Sequence, residues 1–169
     1  MKRVLVITAI VLGCMLLSGN LKAQPMKVGG GLVLSSNIPA FGVQGKLNYD
    51  LSFVMRNLSA SGGMTLFFPA SNGSYDYGRW TLDLDGHYHF YQVESFQFYG
   101  LGGLNITHYK KDPNEDLIGG KNIGTTPGLN IGGGVNYTLP NGLTAYSEAK
   151  FVINYYEQAA ISIGLLWNL

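Results

Sequence analysis

The chain has 169 residues, one domain's worth of material, with 11 basic and 10 acidic side chains and a formal net charge of +1. Charged residues make up only 12% of it, which leaves no basic patch for nucleic acid. Glycine is frequent, at 24 residues, and no stretch carries a 3.6-residue apolar period, so the composition points to an all-β protein.

In chain order, Met1-Lys2-Arg3 forms a basic opening and Val4 to Leu17 an apolar run broken by Thr8, Gly13 and Cys14. Leu21-Lys22-Ala23 then supplies a small residue for cleavage. This reads as a secretory signal peptide over residues 1–23, followed by one domain over 24–169; the apolar run is short for a membrane span. Val11-Leu12-Gly13-Cys14 loosely matches a lipoprotein cleavage motif, but the apolar run continues past the cysteine. Cys14 is the sole cysteine, so the remaining domain has no disulfide, thiolate nucleophile or cysteine metal site. Lys2, Arg3 and Lys22 leave with the leader, so 11 basic residues become 8 against 10 acidic, a net charge of −2. No later apolar run is long enough for a transmembrane helix, so only strands could carry the domain across a membrane.

Eight strands are expected, each near the length that a tilted membrane strand needs. The first is Met26 to Ser35, the second Phe41 to Tyr49, and the third about Asn57 to Phe68. Pro69 to Gly78 is a Ser-, Asn-, Gly- and Tyr-rich loop. In the fourth strand, Trp80, Leu82, Leu84, Tyr88 and Phe90 interleave with Thr81, Asp83, Asp85, His87 and His89. Tyr91 to Ser95 is read as a turn, and Phe96 to about His108 as the fifth strand. Lys110 to Thr126 is the longest loop and holds six charges. The sixth strand alternates Leu129, Ile131, Val135, Tyr137 and Leu139 with Asn130, Asn136, Thr138 and glycines. Asn141-Gly142 is a strong hairpin signal. The seventh strand is Leu143 to Ile153; the eighth, Ala160 to Leu169, sets Ile161, Ile163, Leu165, Trp167 and Leu169 at every second position.

Alternation alone fits two opposite arrangements, a membrane barrel with a polar lumen and a soluble calyx around an apolar ligand. Few charges stand on the polar face, where a water-facing sheet would carry many. Aromatics gather at strand ends, with Phe67, Phe68, Tyr75, Tyr77 and Trp80 at one rim. Tyr49, Tyr88, Phe90, Tyr91, Phe96, Phe98 and Tyr137 gather at the other. Of these, Phe68, Trp80, Tyr88, Phe90, Phe98 and Tyr137, together with Trp167, are the expected interfacial aromatics. A sheet that spans a bilayer must close, and eight strands suffice. The expected fold is therefore a closed antiparallel eight-stranded up-and-down transmembrane β-barrel.

The eight-strand rhythm, the leader, and the segments GLNIGGGVNYTLPNGLTAYSEAKF and AISIGLLWNL resemble the small outer-membrane barrel families typified by OmpX and the OmpA transmembrane domain, in the form common in Bacteroidetes. Such barrels usually end in Phe or Trp; here Leu169 is last and Trp167 stands two before it. The resemblance implies a monomer in the outer membrane of a Gram-negative bacterium. Its partners would be outer-membrane lipid, the insertion machinery reading the last strand, and a surface partner on the outer loops.

The candidate site is the inward face. Asp83, Asp85, His87 and His89 form a ladder that Lys46, Arg79, Glu148 and Lys150 can join. Buried charges must be paired, so these residues read first as a structural polar network. Metal ligation by the two histidines and two aspartates would need help from a neighbouring strand, because same-face residues two apart are about 7 Å from each other. A His–Glu–Ser arrangement resembling a lipid-deacylating barrel enzyme conflicts with Ser147 pointing outward while the histidines and Glu148 point inward. The glycine runs 100–103 and 132–134 sit inside strands and complete no nucleotide-binding motif; they read as bends or as space for bulky neighbours. The expectation is a non-enzymatic barrel without cofactor or metal. A narrow channel, a lipid-modifying enzyme and a secreted lipocalin-like binder are the alternatives.

Overall fold

The computed structural model describes residues 26–36, 40–69, 78–110, 124–154 and 157–169. The expected leader and the centres of the two long loops, with Tyr75 and Tyr77, lie outside them. The strands are β1 (Met26–Ser35), β2 (Ala40–Asp50), β3 (Leu58–Pro69), β4 (Gly78–Val93), β5 (Phe96–Lys110), β6 (Thr125–Thr138), β7 (Thr144–Ile153) and β8 (Gln158–Asn168). Each pairs antiparallel with its sequence neighbour, and β1 pairs with β8 from Lys27↔Asn168 to Ser35↔Ala160, so the sheet closes on itself. Closure leaves no strand edge unpaired.

Period-2 alternation fixes which way each side chain points. Leu32, Leu34, Val43, Leu66, Leu84, Leu104, Ile131, Ile161, Ile163 and Leu165 stand exposed on the outside. Gln44, Thr65, Asp83, Asn105, Asn130, Glu148 and Ser162 are buried inside. A water-soluble protein would have this order reversed.

Several boundaries differ from the sequence reading. Tyr91, Gln92 and Val93 continue β4 and pair with β5, and only Glu94 and Ser95 form the turn. The cause is a bulge at Phe90: His89 opposes Tyr99 and Tyr91 opposes Phe98, so one extra residue breaks the alternation. β6 begins at Thr125, which shortens the expected loop, and β8 begins at Gln158. Phe67 does not join a rim of outward aromatics; it is 8% exposed and packs inside with Val33 and Ala160. Strand parity decides this, because Leu66 and Phe68 on either side both face outward.

Met26, Leu169 and the connections Leu51–Asn57, Glu94–Ser95 and Leu139–Leu143 lie at one end of the barrel, called here the near end. Ser35, Ala40, Pro69, Gly78, Lys110, Thr125, Ile153 and Gln158 mark the opposite, far end.

Candidate functional site

The lumen is filled in layers. At its centre Glu148 accepts hydrogen bonds through one oxygen from Lys46 Nζ and from Tyr99 Oη at 3.0 Å. Its cross-strand neighbours explain the placement, since β6–β7 register sets Glu148 beside Gly134 and β5–β6 register sets Gly134 beside Tyr99. A Cβ on Gly134 would come within 2.5 Å of the Tyr99 ring, so only glycine lets the phenol cross to the carboxylate. The same device serves Tyr146. Gly164 is its partner on β8, Gly31 is the next residue in that row on β1, and a Cβ on Gly31 would lie 2.5 Å from the Tyr146 hydroxyl. Tyr146 then donates to Gln44 Oε1 at 3.1 Å, and Lys46 sits 4.8 Å above its ring.

The next layer towards the far end is a second ion cluster. Lys150 Nζ lies 2.8 Å from Asp83 and 3.8 Å from Asp85. Asn130 Nδ2 donates to both aspartates, at 2.9 and 2.7 Å, and Asn105 donates to Asp83 at 2.7 Å. Above it Arg79 donates to Gln158 at 2.8 Å and lies 3.8 Å over the Phe67 ring. Ser35 donates to the same Gln158 oxygen at 2.9 Å. The buried charges among the described residues are thus three cations, Lys46, Arg79 and Lys150, and three anions, Asp83, Asp85 and Glu148. The set balances in number, with Lys46 on Glu148 and Lys150 on both aspartates, while Arg79 bonds Gln158 and covers the Phe67 ring; opposite charges held together are what a low-dielectric interior can hold.

The histidines lie towards the near end. His87 is 1% exposed, stacks on Tyr99 at 4.6 Å and shares a 2.9 Å hydrogen bond between Nε2 and Ser61 Oγ. His89 Nε2 pairs with Ser59 Oγ at 3.0 Å. Ser61, His87 and Glu148 therefore meet, but not as a catalytic relay. Serine and glutamate both approach Nε2, with Glu148 at 4.0 Å, and Nδ1 has no hydrogen-bond partner. A relay needs its acid on the nitrogen opposite the serine, to hold the tautomer that takes the proton. Ser61 is also 4% exposed, which leaves its hydroxyl no room to meet a substrate. Ser147 points away from this cluster, as its outward partners Val135 and Ile163 do.

Among the described residues, no three His, Cys, Asp or Glu side chains are grouped to hold a metal ion. Asp83 and Asp85 direct their oxygens to Lys150 and the two asparagines instead. Outside, Phe68, Trp80, Tyr88, Phe90, Phe98, Tyr137 and Trp167 all lie on the outer wall. Trp80 stacks on His108 at 5.1 Å. Lys46, Arg79, Asp83, Asp85, His87, His89, Glu148 and Lys150 all point inward, but as two ion clusters and an arginine cap rather than one ladder. Asn105 and Asn130 bind the aspartates, Gln44 binds Tyr146 and Gln158 binds Arg79; parity marks the first three as inward, Gln158 lies before the expected start of the eighth strand, and the partners of all four depend on strand register.

Space inside is small. A void of about 10 Å³, the size of one water, lies between Gln44, Thr65, Asp83 and Lys150. A polar vestibule of about 250 Å³ opens at the near end among Lys27, Asp50, Ser59, His89, Gln97 and Asn136. Beyond it stand Tyr99, Tyr146 and His87, each no more than 3% exposed.

No protein-family model matches the chain, and no curated protein matches it. Solved structures do. Neisserial surface protein A aligns over 88% of this chain and 98% of its own, with a TM-score of 0.66 at 14% identity. The N-terminal β-barrel domain of Pseudomonas aeruginosa OprF aligns over 86% and 98%, with a TM-score of 0.67 at 16% identity. The outer membrane enzyme PagL aligns over 85% and 99%, with a TM-score of 0.53 at 13% identity. At these identities the likeness is one of fold: the chain is a closed eight-stranded antiparallel barrel of the kind found in small outer-membrane proteins.

Proposed function

We propose that this protein is a non-enzymatic, monomeric integral protein of the outer membrane of a Gram-negative bacterium. It resembles the OmpX and OmpA barrels in their Bacteroidetes form and acts through its outer loops as a structural or surface-interaction element. One observation carries the reading: large apolar side chains are exposed around the whole outer wall, while charged side chains are buried within, Lys46 on Glu148 and Lys150 on Asp83. Water would reverse that order and hydrocarbon requires it. The short near-end turns would face the periplasm, as short turns do in bacterial barrels. Insertion machinery would then read β8, whose outward row ends in Trp167. The enzyme neighbour shows that the fold can host catalysis, so the lumen chemistry matters more than the fold here. That lumen is filled by Tyr99, Tyr146 and the ion clusters, which supports a packed core over a pore.

The test is electrophoretic mobility of the membrane fraction with and without boiling. A closed membrane barrel needs detergent for extraction and shifts mobility on boiling. A protein recovered soluble without detergent, and showing no shift, would overturn the membrane reading and turn the exposed wall into an unexplained surface.

A further inference from the structure

The three near-end connections differ in kind. Glu94–Ser95 and Leu139–Leu143 are tight and carry Glu94, Ser95, Asn141 and Gly142 at their tips. Leu51–Asn57 instead presents Phe53, Val54 and Met55 in succession, 63%, 67% and 48% exposed, followed by exposed Arg56. Successive exposed apolar residues on a turn mark a contact surface rather than a solvated connection.

The turn also satisfies much of its own backbone. Ser52 N–H donates to Asp50 Oδ1 at 2.7 Å, and Val54 and Met55 N–H donate to Leu51 O at 2.9 and 3.1 Å. Leu51 and Leu58 N–H donate to Leu58 O and Met55 O at 3.0 and 3.1 Å. Asn57, at a φ of 66°, turns its carbonyl to accept from His89 N–H at 2.9 Å. That last bond ties the turn to β4 just before the bulge. From there the β4–β5 hairpin runs on to Val93 and Phe96 with Phe90, Tyr91, Val93 and Phe96 exposed. The apolar turn is thus continuous with the lower edge of the apolar wall.

We propose that Leu51–Asn57 is a membrane-seated finger, placing Phe53, Val54 and Met55 in the headgroup region of the adjacent leaflet and Arg56 on lipid phosphate. The inference rests on the membrane reading above. Lipid is the occupant because the patch continues the lipid-facing wall, because a turn entering that region must bring few unsatisfied amides, and because a cation beside aromatics is an interfacial anchor.

The chain's one cysteine is replaced by Cys14→Ser, and single labels of an environment-sensitive fluorophore are introduced by Val54→Cys, Leu84→Cys and Asn141→Cys. Folding of each is checked by heat-modifiable mobility, with Phe53→Cys replacing any Val54→Cys protein that does not fold. Each is reconstituted in phosphatidylcholine vesicles with nitroxide-bearing lipid. The expected result is strong quenching at position 84, at least half as much at 54, and little at 141. Quenching at 84 with position 54 as unquenched as 141 and open to iodide would overturn the finger and leave the barrel standing. A label at 54 shielded from both iodide and lipid nitroxide would also overturn it, in favour of cover by a second copy of the chain. Absence of quenching at 84 would overturn the membrane reading and the finger with it.

Discussion

At the scale of single residues, Glu148 is the point on which the lumen turns. It is 2% exposed and holds Lys46 and Tyr99 through one oxygen, with His87 close by. Removing its charge leaves Lys46 buried without a counter-ion, which is costlier than never having had the pair. Glu148→Gln is therefore expected to destabilise the folded barrel by about 3–5 kcal/mol. The double variant Lys46→Met/Glu148→Leu should recover most of that loss, because an apolar pair of similar volume avoids both desolvation penalties. Urea midpoints of the vesicle-inserted protein would read both. Equal losses in the single and double variants would show that Glu148 acts through Tyr99 and packing, not through charge.

At the scale of elements, β1 was legible from Met26 to Ser35 and β7 to within one residue, because period-2 alternation is local information. The end of β4 was not. Phe90 adds one residue to the strand without any change in composition, so Tyr91 to Val93 looked like a turn. The inward direction of Asp83, Lys150 and Glu148 followed from parity, yet their grouping did not. Asp83 on β4 meets Asn130 on β6 and Lys150 on β7, contacts that exist only once the sheet has curled shut. The role of Gly134 was hidden for the same reason, as it depends on register with Tyr99. Glu94 has a φ of 51° in a two-residue turn while Ser95 does not share the positive φ, which is the first position of a type II′ hairpin and favours glycine. Glu94→Gly should stabilise by about 0.5–1 kcal/mol, the left-handed strain relieved less the entropy that glycine loses on folding. Gly134→Val should cost at least about 1–3 kcal/mol by driving Tyr99 off its carboxylate. Gly45→Val, where a Cβ meets nothing within 4 Å, should be tolerated. The fraction of heat-modifiable folded protein at graded urea would rank all three, and a tolerated Gly134→Val would mean that Tyr99 has room to move.

At the scale of the whole molecule, the outer wall and the lumen answer to different solvents, and that asymmetry makes a quantitative prediction. Leu84 is 61% exposed and stands midway along β4's outward row between Trp80 and Tyr88. In water, exchanging so exposed a leucine for a charged residue would shift stability by no more than about 0.5 kcal/mol. In a bilayer the same exchange places a cation at the midplane, where it costs about 2–4 kcal/mol, falling to about 0–1 kcal/mol near the interface. Leu34, 60% exposed at the far end of β1, matches Leu84 in exposure but not in depth. Leu84→Arg should therefore lose several times more stability than Leu34→Arg in vesicles, read as urea midpoints under reversible folding. Equal exposure with unequal cost is a signature that water cannot produce. If the two variants lost the same small amount, the wall would be facing water, and the paired charges inside would need another cause than a hydrocarbon surround.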